Sequence, residues 1–141
     1  MVYFDTNVYL YAFCKNIDDK NQQNISIKLL EDAIKKKTLI VSEIVLYEYA
    51  FVANKLKEKG HEIDKILNFL KRFIKSSNRV YESVLSILQT NSTYKNSFDT
   101  YHVAFSRYHK CKKIITFDKD FIKFNNILDV DIEILSSNML K

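Results

Sequence analysis

The order of apolar and polar positions divides the chain into short apolar runs and longer stretches with a helical period. Met1 to Phe4 is a short apolar run and predicts a buried strand, and Thr6 to Lys15 begins a helix. Between Asn21 and Lys37 the residues Ile25, Leu29, Leu30, Ala33 and Ile34 recur at the 3.6-residue spacing of an amphipathic helix. Lys35 to Lys37 place positive charge at its C-terminus, where the helix dipole favours it. Thr38 to Val41 predicts a second strand. Ser42 is then the N-cap of the next helix, which runs to about Lys59 with Gly60 as its stop. A further amphipathic helix spans His61 to Lys75, with Ile63, Ile66, Leu67, Leu70 and Phe73 on one face. Arg79 to Tyr81 reads as a short strand. Tyr81 to Leu88 and Ser97 to Tyr108 read as helices, Lys113 to Phe117 as a strand, and the residues around Phe121 as a helical turn. Asp131 to Leu135 alternates and predicts an edge strand.

Strands separated by helices of this length imply right-handed crossovers and a parallel sheet. The expected fold class is α/β: three layers, α/β/α, around a central parallel sheet. With no repeat, linker or low-complexity tract, residues 1–141 are expected to form a single domain. In open sheets of this kind, sites form beyond the carboxyl ends of the strands.

Composition narrows the class further. With 47% hydrophobic and 28% charged residues the chain reads as globular, and no stretch approaches the ~20 apolar residues of a membrane span. The chain begins with an apolar strand and an acid rather than the basic start of a signal peptide, so a cytoplasmic location is expected. Cys14 and Cys111 are far apart and form no Cys-x-x-Cys pair, which reads as two reduced thiols. One glycine and no proline leave the turns to Asn, Asp and Ser. The net charge of +5 is compatible with a polyanionic partner.

The chemistry is carried by acids. Met1-Val2-Tyr3-Phe4 stops at Asp5, and Lys113-Ile114-Ile115-Thr116-Phe117 stops at Asp118. In a parallel sheet both carboxylates emerge at one edge, ~4.8 Å apart if the strands are neighbours. Two such anions repel, and a divalent cation is the usual remedy. Either Asp alone is more often just the cap of the helix that follows, and it is the pairing that points to a site. On the helix after the second strand, Glu48 lies roughly 60° from the centre of the apolar face, whereas Glu43 lies roughly 160° away, towards solvent. Glu48 is therefore the better ligand candidate, with a surface ion pair as its bland alternative. Asp99 falls in the first turn of its helix, where the dipole favours an anion with or without a further role. Hard oxygen donors without a Cys or His set point to Mg²⁺ or Mn²⁺, one ion or two. Such ions keep waters, one of which can become a nucleophile, and they neutralise charge on a phosphodiester oxygen.

These motifs, in this order and spacing, resemble a PIN domain of the VapC type, the ribonuclease toxins of toxin–antitoxin pairs. The matching residues are Asp5-Thr6-Asn7 after the first strand, Ser42 with Glu48 two turns into the next helix, Asp99 through Ala104, and Thr116-x-Asp118-x-Asp120-Phe121. One departure is Phe98, which stands where smaller residues are usual. The resemblance covers nearly the whole chain. It implies a Mg²⁺- or Mn²⁺-dependent endoribonuclease in which Asp5, Glu48, Asp99 and Asp118 bind metal and activate water. Asp120 is then an auxiliary acid, and Thr6, Asn7 and Thr116 orient carboxylates or water. It also implies an RNA substrate, a homodimer and an inhibitory antitoxin partner. Alternatives are an RNA-processing nuclease with no toxin role, a phosphotransfer module of the receiver or phosphatase kind, and a non-catalytic binding protein. The phosphatase pattern wants a second Asp at the position of Asn7, and the receiver wants a strand-end Lys where Thr116-Phe117-Asp118 stands.

Other residues read more simply. His102 follows Asp99 by three positions on one helix face and is more often a core or surface histidine than a ligand. His61 and His109 look like helix-end residues, and no Ser-His-Asp or Cys-His arrangement stands out. Tyr9, Tyr11 and Phe13 are candidates for a dimer face, and the other aromatics belong mostly to the core or can stack bases. Arg72, Arg79, Arg107, Lys110, Lys112 and Lys113 can reach phosphates, although a solvated face explains most of them.

Overall fold

The computed structural model describes residues 1–76, 78–92, 94–125 and 131–136. Strand β1 (Val2–Phe4) leads into α1 (Thr6–Phe13) and α2 (Lys20–Lys35). Then follow β2 (Leu39–Ile40), α3 (Glu43–Lys55), α4 (Gly60–Leu70), α5 (Val80–Asn91) and α6 (Ser97–Tyr108). Strand β3 (Lys113–Thr116), a 3-10 segment over Lys119–Phe124 and β4 (Asp131–Ile134) complete the order. The four strands form one parallel sheet in the order β2-β1-β3-β4. Side chains alternate across a strand, and β1 shows what each face meets. Tyr3 packs on Phe105 of α6, whereas Phe4 packs on Tyr9 of α1. Helices thus cover both faces, and the architecture is the three-layer α/β/α expected from the strand–helix alternation. Among the described residues no helix is long and apolar enough to cross a membrane.

The core lies between sheet and helices, with Tyr3, Phe4, Ile40, Tyr49, Phe105 and Ile114 almost fully buried. Strands β1 and β2 are apolar on both faces because both are covered, as in other parallel sheets. Cys14 and Cys111 are free and buried, and burial pushes both thiols up to about 11, so they act as packing groups. The aromatics of α1 are engaged within the chain. Tyr9 is fully buried, which removes it from any dimer face, while Tyr11 meets Phe117 and Phe13 meets Phe69.

Element boundaries depart from the periodicity in three places. Gly60 is the first residue of α4, not the stop of α3. The α4 helix gives way to a 3-10 turn at Lys71–Phe73, because Ile74 is drawn alongside Val41 as an extra parallel bridge. Arg79 caps α5 and Val80 begins it, so the expected strand at Arg79 to Tyr81 is absent.

The real stop of α3 is Lys57, which takes the left-handed conformation (φ 61°) while the Glu58 N–H reaches back to Ala53 O. Lys37 after α2 and Lys110 after α6 do the same, with Thr38 N–H on Ala33 O and Cys111 N–H on Ser106 O. Lysine, rather than Asn or Asp, therefore closes three helices in this nearly glycine-free chain. A side chain in that conformation costs roughly 1–2 kcal/mol, against the roughly 0.5–1 kcal/mol of extra chain entropy that glycine loses on folding. Lys37→Gly, Lys57→Gly and Lys110→Gly, all at exposed positions, should each stabilise the protein by about 0.5–1 kcal/mol in urea unfolding. A lower stability would show that the lysine side chains contribute something the caps do not explain.

Candidate active site

The carboxyl ends of β1 and β3 open on the same edge, but their register differs from a simple alignment of strand ends. Phe4 pairs with Ile115, and Asp5 N–H donates to Ile115 O. Asp5 therefore lies alongside Thr116, and Asp118 stands two residues further on. The Thr116 hydroxyl donates to Asp5 Oδ2 (2.8 Å) and accepts from Asp118 N–H (3.0 Å) and from the Asn7 side-chain amide (3.2 Å). Asn7 also donates to Asp5 Oδ2 (3.3 Å), and its carbonyl accepts from Phe117 N–H. Thr6 N–H donates to Asp5 Oδ1 (2.7 Å), so Asp5 is the cap of α1 as well as a member of the cluster. Asp118 caps the 3-10 segment through Asp120 N–H. The capping role foreseen for both acids is thus present in each.

Glu48 reaches the same place from the second turn of α3. Its Oε1 accepts from Thr6 Oγ1 (2.7 Å) and meets His102 Nε2 (2.6 Å). His102 Nε2 is also 3.5 Å from Asp5 Oδ1. Asp5, Glu48 and His102 each offer one ligand atom, all within 4.8 Å of one another. Asp99, Asp118 and Asp120 do not belong to that tight group. Asp99 is half-buried in the first turn of α6 and feels the charges of both Asp5 and Asp118, whereas Asp120 is exposed.

His102 is fully buried, and both of its ring nitrogens are engaged. Its Nδ1 meets the Tyr3 hydroxyl, which also bonds Ser42 Oγ (2.8 Å). Ser42 stands at the N-cap of α3 as expected, but its hydroxyl serves Tyr3 instead of capping. A buried chain of hydrogen bonds therefore runs Ser42–Tyr3–His102–Glu48–Thr6. Because Glu48 only accepts, His102 Nε2 is the donor of that bond in either charge state. Sequence reasoning underrated His102 and passed over Tyr3. The available signals were the i, i+3 spacing from Asp99 and a tyrosine in a buried strand, whose hydroxyl needs a partner.

The charges follow from this packing. Burial raises Asp5 above the usual carboxylate range, with His102 and the Thr116 and Thr6 hydrogen bonds pulling back. Burial, then the charges of Asp5 and Asp118, lift Asp99 to about 6, and His102 and Lys123 offset only part of this. Burial alone would lower His102, but its bond to Glu48 and the charges of Asp5, Glu48 and Asp99 raise it. Glu48 goes the other way: burial would raise it, yet the His102 bond holds it low. Oxygen-rich donors that repel one another at a sheet edge fit a hard divalent cation. Since His102 is already bonded on both sides, its evident work is to hold Glu48.

Comparison with known families adds one finding: the family model for the PIN domain matches residues 2–127. Among curated proteins no match to the chain was found.

Removing the Tyr3 hydroxyl leaves His102 Nδ1 and Ser42 Oγ buried without their shared partner. Tyr3→Phe should therefore destabilise the protein by about 1–3 kcal/mol in urea unfolding. Tyr11→Phe, outside the network, should change stability by less than about 0.5 kcal/mol. Equal stability of Tyr3→Phe and wild type would mean that the hydrogen-bond chain does not hold the site.

Proposed function

The chain belongs to the PIN-domain family, whose members are generally metal-dependent nucleases, and from that premise we propose that it is an endoribonuclease acting as the toxin of a toxin–antitoxin pair. The observation that carries this reading is the convergence of Asp5, Glu48 and His102 beside a half-buried Asp99 whose proton affinity is raised by burial and then by its acidic neighbours.

In this reading Asp5, Glu48, Asp99 and Asp118 hold Mg²⁺ or Mn²⁺, with Asp120 as an auxiliary acid. When bound, the cation supplies charge neutralisation at the phosphodiester and a more acidic water. The protein's own part is orientation. Thr116, Asn7 and the Thr6 N–H fix the plane of the Asp5 carboxylate. Thr6 and His102 both bond Oε1 of Glu48, so Oε2 is the oxygen left to face a cation. Hydrolysis adds the water oxygen to phosphorus while one ester oxygen leaves with a proton. RNA as substrate is favoured by the net charge of +5 and by the order of the four motifs. The toxin role, the homodimer and the antitoxin partner rest on that motif order alone.

The test is cleavage of a mixed single-stranded RNA with Mn²⁺, with EDTA, and with Asp5→Asn. Cutting should need the metal and should fall roughly 100-fold or more in the variant, as when a group stabilising developing charge is lost. Circular dichroism of the variant checks that it is folded, since an amide at position 5 sets an NH₂ group against donors that the carboxylate accepts from. Undiminished cutting by folded Asp5→Asn, or cutting that ignores EDTA, would overturn the assignment.

A further inference from the structure

Helix α3 turns Val45, Tyr49 and Ala53 into the core. The same helix carries a second apolar stripe, Ile44, Tyr47 and Phe51, at the i, i+3, i+7 spacing of one face. This stripe looks outward: Tyr47 is 66% and Phe51 65% exposed, and Phe98 at the start of α6 is 64% exposed. With Glu48 and Val52 these residues line a groove of about 570 Å³. A helix with apolar residues on two sides has something to meet on both, and a clustered exposed apolar patch marks an interaction site.

The groove is continuous with the acidic site. Glu48 belongs to both, and each of two acids has an outward aromatic as its chain neighbour: Tyr47 beside Glu48, and Phe98 beside Asp99. The Lys55 ammonium lies 5.3 Å over the Phe51 ring and brings positive charge to the groove wall. If the acids take the phosphodiester, the group that lies one step away on the same strand is a ribose with its base. A base offers a flat π-face, which carboxylates cannot match and aromatic rings can.

We propose that this groove receives an unpaired nucleobase of the RNA strand next to the scissile phosphodiester, stacked on Phe51 and Phe98. The proposal rests on the nuclease reading above and deepens it. Bases in a duplex are already stacked on one another, so such a groove selects single-stranded or looped RNA. A protein segment in the groove would compete with the base, and the positive charge of Lys55 beside Phe51 favours a strand of phosphates.

The probe is a short single-stranded RNA carrying 2-aminopurine, whose fluorescence is quenched on stacking. It is titrated with the whole protein in Ca²⁺, and its unlabelled form is cut in Mn²⁺. Wild-type protein should quench the probe, and Phe51→Ala and Phe98→Ala should each weaken binding by about 5- to 150-fold. Phe98→Trp should keep the affinity and Phe98→Leu should lose it. Both positions are largely exposed and lie on different helices, so folding should survive and either series suffices. Equal affinity in all variants, or Leu performing as well as Phe, would overturn the proposal. So would Ala variants that change oligomeric mass in light scattering but not RNA binding, which would make the groove a face between protein chains. If wild-type protein neither binds nor cuts RNA, the nuclease reading itself fails. If it cuts RNA normally while the variants match it, only the stacking groove fails.

Discussion

A nearly buried carboxylate, that of Asp5, sits at the end of the strand pair in the middle of the sheet, with 7% of its surface exposed. Such a group is costly unless hydrogen bonds meet it. Three donors do: the Thr6 N–H from the start of α1, the Thr116 hydroxyl from β3, and the Asn7 amide. This ties the β1–β3 register to the site. A slip of one residue would turn Thr116 to the other face of the sheet and take away the shortest side-chain hydrogen bond to Asp5. Even with these donors, burial keeps Asp5 above the usual carboxylate range. The fold therefore holds a charge that it satisfies only in part.

Glu48 and His102 extend the same logic through the helical layer. The imidazole is locked between the Tyr3 hydroxyl and Glu48, and Tyr3 is locked in turn by Ser42. The links tie four elements together: Tyr3 on β1, His102 on α6, Ser42 and Glu48 at the start and second turn of α3, and Thr6 on α1. A displacement of any one would break a buried hydrogen bond, which is why a site spread over nearly the whole chain can be stiff. Asp99 completes the picture from the first turn of α6, where the helix dipole supports its charge while Asp5 and Asp118 oppose it.

Much of this was legible in the sequence where local pattern and tertiary structure agree. The apolar runs ending at Asp5 and near Asp118 marked two strands of a parallel sheet, which the structure places side by side, and Ser97–Tyr108 was legible as a helix to the residue. Glu48 was placed at the rim of its helix's apolar face by angle alone, and it is there, partly exposed, beside Thr6. What escaped the sequence depends on contacts across long stretches of chain. Tyr3 and His102 meet over 99 positions. Ser42 forgoes its cap for a partner on β1, and Ile74 leaves a helical pattern to lie beside Val41. The lysines that end α2, α3 and α6 were invisible for another reason. No residue type requires a left-handed cap; glycine only makes it cheap, and here the chain bears the cost with lysine.

The central claim is that the sheet edge gathers mutually repelling acids that a divalent cation relieves. Thermal unfolding with EDTA or Mn²⁺ at pH 5 and pH 7.5 tests it most directly. Asp99, lifted to about 6, and His102, also raised, both contribute stability that is present at low pH and lost as pH rises through their folded values. Without metal, their contribution should thus make the protein less stable at pH 7.5 than at pH 5. Mn²⁺ should raise the melting temperature at pH 7.5 and do so much less at pH 5, where Asp99 holds a proton that the cation must displace. A melting temperature that does not respond to Mn²⁺ at either pH would contradict the account.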